Sequence, residues 1–111
     1  MNQPHIVQYK PLSVNECWKG ERYKTDSYKK YERDLLFILP RLNLPAPPFR
    51  LELTFGVSNM ASDFDNPVKP FVDILQKKYK FNDKLIMQSL VTKKIVKKGS
   101  EYIEFRLVHF E

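Results

Sequence analysis

The stretch FRLELTFGVS, residues 49–58, decides the fold. Leu51, Leu53, Phe55 and Val57 alternate with Glu52, Thr54 and Gly56, the period-two pattern of a strand with one face in the core. Downstream, Val68, Phe71, Val72, Leu75 and Tyr79 recur at spacings that share one face of a helix, which predicts a helix over 67–78. Upstream, Asp26 or Ser27 can cap a helix running to about Leu39. Its Tyr28, Tyr31, Leu35 and Ile38 fall at helical spacing, and Pro40 ends it. The proline-rich NLPAPP, 43–48, is a rigid connector between these elements, because neither side can fold alone.

Working outward to the ends, residues 4–10 read as a first strand carrying Ile6 and Val7. Residues 11–25 read as a long polar loop, a kind of segment that in compact domains is often functional. Residues 85–96 alternate imperfectly. In EYIEFRLVHF, 101–110, Ile103, Phe105 and Leu107 share one face. The intervening KKGS suggests that these two runs form an antiparallel hairpin. The expected order is β-α-β-α-β-β, an α/β (α+β) chain with a mixed sheet and two helices packed against it, as a single domain over residues 1–111.

At 42% hydrophobic and 29% charged residues, the chain is too apolar for a disordered one and is expected to be globular. Its longest strongly apolar run, LLFILP at 35–40, is far too short to cross a bilayer, so no membrane partner is expected. The opening MNQPHIVQYK lacks a basic start and an apolar core, and a single cysteine cannot form an internal disulfide. A cytoplasmic setting is the expectation.

The formal charge of +6 favours a polyanionic partner. The basic residues cluster at WKGERYK (18–24), YKKYER (28–33), QKKYKF (76–81) and TKKIVKKG (92–99), and three of these clusters interleave aromatics. That pattern suits phosphate contacts beside base or sugar packing.

Within this basic chain, NMASDFDNPVKPFVDIL, 59–75, concentrates Asp63, Asp65, Lys69 and Asp73. If the backbone past the strand stays extended, Asp63 and Asp65 point the same way while Phe64 points inward. Two convergent carboxylates call for a cation or proton between them. Mg²⁺ is the natural candidate, since it takes one or two carboxylates and completes its shell with water and phosphate. Asn66 before Pro67 resembles a helix cap followed by a first-turn proline. Lys69 and Asp73, four residues apart, share the polar face, so Lys69 either reaches a bound phosphate or pairs with Asp73. Capping and surface pairing are the structural alternative for the two acids. Other chemistries find less support. His5 and His109 stand near the two ends, Cys17 has no nearby histidine in sequence, and three glycines supply no phosphate-cradling loop.

Together these residues resemble the RusA family of Holliday-junction resolvases, many of them carried by phages and prophages. DFDNPVKPFVDIL, 63–75, follows the family pattern Asp-x-Asp-Asn-x-x-Lys-x-x-x-Asp-x-Leu. FNDKLI, 81–86, stands where the family has a second acidic site before a strand. PLSVNECWKGERYKT, 11–25, is similar to its early Pro-x-Ser-x-Asn loop. The resemblance covers nearly the whole chain. It implies a RusA-like fold and a Mg²⁺-dependent endonuclease, with Mn²⁺ as a possible substitute and no small-molecule cofactor. The enzyme would act as a homodimer that resolves four-way DNA junctions by paired symmetric nicks, in recombination, repair or phage DNA processing in a bacterial or phage-infected cell. By the same resemblance Asp63, Asp65 and Asp83 are the metal ligands and Lys69 the functional lysine; Asn66 at the cap position and Asp73 beside Lys69 are read as supporting residues.

DNA contacts are expected from Asn15, Lys19, Arg22 and Lys24 of the 11–25 loop, and from Lys77 and Lys78 of the second helix. A helix over 67–78 is about 18 Å long at 1.5 Å per residue. The few residues after it return at most about 3.3–3.6 Å each. Asp83 is therefore expected to meet Asp63 and Asp65 across the dimer interface. The competing readings are a general fork or flap nuclease and a non-catalytic architectural DNA-binding protein.

Overall fold

The computed structural model describes residues 3–20 and 22–111. Six strands and two α-helices form among them. The main sheet is mixed and has the order β1-β6-β4-β5. Strand β4 (Phe49–Val57) lies inside it, parallel to β5 (Ile86–Ile95) and antiparallel to β6 (Tyr102–His109), with the short β1 (His5–Val7) outside β6. A small hairpin, β2 (Trp18–Lys19) with β3 (Tyr23–Lys24), stands apart. Helix α1 (Asp26–Ile38) precedes β4, and α2 (Val68–Tyr79) makes the crossover from β4 to β5.

The apolar phase read from residues 49–58 builds the core. Leu51, Leu53 and Phe55 of β4 lie beside Leu107, Phe105 and Ile103 of β6, and all six are buried. Tyr28, Tyr31 and Leu35 of α1 and Phe71, Ile74 and Leu75 of α2 belong to the same cluster. Phe71 is its hub. Its ring lies 6.1 Å from Phe55 and 5.7 Å from Phe105, both in edge-on geometry, an arrangement that favours aromatic pairs. The end of α2 is pinned to α1 and to the residues just after it by polar contacts. The Tyr79 hydroxyl donates to the Pro40 carbonyl at 2.7 Å, and Lys78 Nζ donates to that of Leu36 at 2.8 Å.

Several sequence expectations are corrected. The last two strands are not a hairpin, since β5 and β6 flank β4 on opposite sides. The physical reason is burial. The core-facing Ile103, Phe105 and Leu107 of β6 are covered at an interior position, whereas the polar Gln88, Ser89, Thr92 and Lys94 of β5 are exposed along an edge. The connection crosses the end of β4, where the Val96 amide donates to the Val57 carbonyl at 2.8 Å. The first strand is shorter than 4–10, and the 11–25 segment is not a plain loop. It contains a 3-10 turn at Val14–Glu16 and the β2–β3 hairpin, and it buries Cys17 completely.

Both helix starts also differ. Thr25, not Asp26 or Ser27, caps α1. Its hydroxyl accepts the Tyr28 amide at 3.1 Å and donates to the Glu16 carbonyl at 2.6 Å. Asn66 does not cap α2. The cap position is Pro67, with no side-chain bond. Starting at Val68 places Pro70 at the third helical residue, where the amide would have no intrahelical partner in any case. A buried proline is therefore tolerated there. No helix among the described residues is long and apolar enough to cross a membrane.

Candidate active site

The chain leaves β4 at Val57 and reaches α2 through a series of turns. The Asn59 side chain accepts the Ala61 amide at 2.9 Å, and the Asn59 carbonyl accepts the Ser62 amide at 3.3 Å. The Asp63 carbonyl accepts the Asn66 amide at 3.4 Å, and the Asp65 carbonyl accepts the Val68 amide at 3.0 Å. The backbone at Asp63 and Asp65 is thus turned rather than extended, and the same-side argument for residues two apart does not apply. Phe64 does not point inward; it is 57% exposed. Asp63 lines a cleft of about 210 Å³ with Glu16, Lys10, Lys93 and Glu101, and Asp65 lies outside that lining. Both carboxylates are exposed and make no hydrogen bond or ion pair among the described residues. The Asn66 carbonyl accepts the Val14 amide at 2.9 Å, which docks the 11–16 segment onto the acidic turn.

The other half of the motif forms a separate row. Lys69 Nζ lies 2.8 Å from Asp73 Oδ1 and 4.0 Å from Asp83 Oδ2. The hydrogen bond to Asp73 pushes the Lys69 ammonium above its ordinary pKa. Gln76 joins the row, donating to Asp73 at 3.3 Å and accepting the Asp83 amide at 2.9 Å.

Among the described residues Asp83 is gathered with Lys69 and not with Asp63 and Asp65. The helix ends at Lys80, whose left-handed backbone (φ 58°) turns the chain back. Phe81 and Asn82 then carry Asp83 alongside Gln76, and the long Lys69 side chain spans the rest. Asp83 thus meets Lys69 within one chain, while its expected meeting with Asp63 and Asp65 belongs to a dimer. Asn82 caps the short turn Asp83–Leu85, its side chain accepting the Lys84 amide at 2.9 Å.

The expected DNA-contact residues divide into two groups. Glu32 binds Lys77 at 2.7 Å and Lys24 at 3.2 Å. Burial opposes the Glu32 charge, but the hydrogen bonds from Lys77 and Lys24 outweigh it and hold the carboxyl below its ordinary pKa. Lys78 is occupied with the Leu36 carbonyl. Lys19 and Arg22, on the β2–β3 hairpin, are exposed and unpaired among the described residues. Glu21, between them in the WKGERYK cluster, lies outside the described residues. Asn15 sits in the 3-10 turn with its amide on Ser13 Oγ at 3.2 Å. Trp18 packs edge-on against Tyr28 at 5.7 Å, whereas Tyr23 is 73% exposed.

Sequence reasoning missed Glu16, Lys93 and Glu101 at the cleft, and Gln76 in the lysine row. Lys93 was legible in principle, because it occupies the core-side phase of β5, in register with Phe55. Among the described residues no three His, Cys, Asp or Glu side chains gather as a cation-binding group. The donor chemistry nevertheless suits Mg²⁺, which needs only one or two carboxylates with water and phosphate, and Asp63 and Asp65 offer free hard-oxygen donors. In comparisons with known proteins, the chain matches no family model and no curated sequence.

Proposed function

We propose that this chain is a RusA-like, Mg²⁺-dependent endonuclease that acts as a homodimer on four-way DNA junctions. The observation that supports this reading is a convergence. The three stretches that carry the resemblance are far apart in sequence, yet they meet around α2. Val14 of the early loop bonds to Asn66 of the acidic motif, and Asp83 of the late acidic site lies beside Lys69 and Gln76.

In this reading Asp63, Asp65 and Asp83 would hold the metal. The ion supplies activation of water and stabilisation of charge on the phosphate. Lys69 offers positive charge to the phosphate or the leaving oxygen, and the Asp73 bond holds its ammonium in place. Lys19 and Arg22 supply free cations for the DNA backbone, so binding falls steeply with salt. A two-fold dimer presents one such site to each of two matching strands of a junction.

The test is cleavage of synthetic four-way, three-way and flap DNA, with and without Mg²⁺, by wild type and Asp65→Asn. The reading expects paired nicks in the four-way junction from wild type with Mg²⁺, and loss of both nicks in the variant. Equal products from the two proteins overturn the catalytic assignment. Preferential cutting of flaps makes the protein a general branched-DNA nuclease. Junction binding without cleavage under every condition makes it an architectural protein.

A further inference from the structure

We propose that Lys93 is the positioning residue for Asp63, tethering the loop that carries this acid to the main sheet. Lys93 projects from the edge strand β5, in register with Phe55. Its Nζ donates to the carbonyl of Met60 at 2.9 Å and to that of Ser62 at 2.6 Å. Asp63 follows directly in sequence, and Lys93 and Asp63 line the same cleft.

The loop has little else to hold it. Met60 is 71% exposed and Phe64 57% exposed, so neither ring nor thioether anchors it in the core. The turn bonds of Asn59 are internal to the loop. At its ends, Ser58 bonds to Glu101 at 2.9 Å and Asn66 to Val14 at 2.9 Å. Between those ends, Lys93 provides the attachment. No carboxylate pairs with Lys93 within ion-pair distance among the described residues. Two of its three N–H donors go to main-chain carbonyls as charge-assisted bonds. A lysine used in this way fixes backbone, and through the backbone it fixes the neighbouring carboxylate.

The role of Asp63 rests on the nuclease reading; the tether does not. Three variants separate the two. Lys93→Met removes the donors and keeps the length, Lys93→Gln keeps one shortened amide donor group, and Lys93→Arg keeps a cation with several donors. Amide hydrogen exchange reads the tether without any DNA. Lys93→Met should speed exchange at residues 59–64 by about tenfold or more while leaving the β4 and β6 amides slow. Lys93→Gln should fall between, and Lys93→Arg should restore protection.

On a four-way junction with Mg²⁺, single-turnover cleavage by Lys93→Met should fall on the order of tenfold to a hundredfold. Junction affinity should stay within about twofold, because the carboxylate is displaced and the basic hairpin is untouched. Lys93→Arg should recover most of the rate. Unchanged exchange at 59–64 in Lys93→Met overturns the tether. Reduced junction affinity with an unchanged cleavage rate also overturns the proposal, because Lys93 is then a phosphate contact. A wild type that cuts no branched DNA defeats the nuclease reading alone, and the exchange data still decide the tether.

Discussion

Replacing Glu32 by Gln separates structural from DNA-binding charge in this protein. Glu32 sits on α1 with its side chain 17% exposed, between Lys24 of β3 and Lys77 of α2. The substitution keeps the shape and one acceptor but removes the counter-charge of two lysines. A hydrogen bond to a charged group is worth about 1.5–3 kcal/mol. Lys77 is half-exposed and Lys24 less so, so solvent screening brings the net loss to about 1–2 kcal/mol. For a chain of this size each kcal/mol lowers Tm by roughly 4 °C or somewhat more.

Linkage gives the sign with pH. The folded carboxyl titrates below its ordinary 4.5. Its contribution is therefore complete above that value and is lost as pH falls through the folded pKa. Wild type should converge on the variant in acid. The same change frees two cations at the expected DNA surface. If both engage phosphates, the slope of log affinity against log salt steepens by up to about 1.8, at about 0.9 per phosphate. Urea unfolding at pH 7 and at low pH, with junction binding across a salt series, measures both effects. Equal stability at pH 7 shows that Glu32 does not bind the two lysines as described. A lower stability with an unchanged salt slope removes Lys24 and Lys77 from the DNA interface.

Two further outcomes follow from the geometry. Phe71→Ala empties the contact between Phe55 and Phe105 and should cost about 3–5 kcal/mol in urea unfolding; a loss below about 1 kcal/mol would mean that the α2–sheet packing is not the core described here. Lys69→Met removes an exposed i,i+4 pair, so stability should change by no more than about 1 kcal/mol. Junction cleavage with Mg²⁺ should nevertheless fall by about a hundredfold or more in this variant, and full activity would exclude Lys69 from the chemistry.

The local elements were legible because each depends on a short-range pattern. The alternation of Leu51, Leu53 and Phe55 and the helical spacing of Phe71, Val72 and Leu75 report a face. They do not report what covers that face. A hairpin was the natural reading of two runs joined by KKGS, since a tight turn usually pairs its own flanks. The observed pairing places β6 across from β4 because Leu53 and Phe105 are both wholly apolar at their register point. That comparison needs burial on both sides of a strand, which no window of one strand contains. Pro70 resolves in the same way. It conflicts with a helix beginning at Pro67 and fits one beginning at Val68, a shift of a single residue.

The acidic site was legible in its residue types and opaque in its arrangement. Asp63 and Asp65 take their positions from main-chain turns, and those turns are set by bonds such as Asn66 to Val14 and Lys93 to Met60 and Ser62. The partners lie dozens of residues away, and nothing in DFDNPVKP names them. The start of α2 thereby divides the motif. Asp63 opens on one cleft, and Lys69, Asp73 and Asp83 form a row along the helix. The excess basic charge divides too. Lys24 and Lys77 offset Glu32, Lys78 secures α1, and Lys93 secures the acidic loop. The lysines committed to structure are therefore not the ones free to meet a polyanion. Lys19 and Arg22 on the β2–β3 hairpin are exposed cations without a structural partner among the described residues. The salt dependence of DNA binding should accordingly respond more to Lys19→Ala and Arg22→Ala than to changes among the committed lysines.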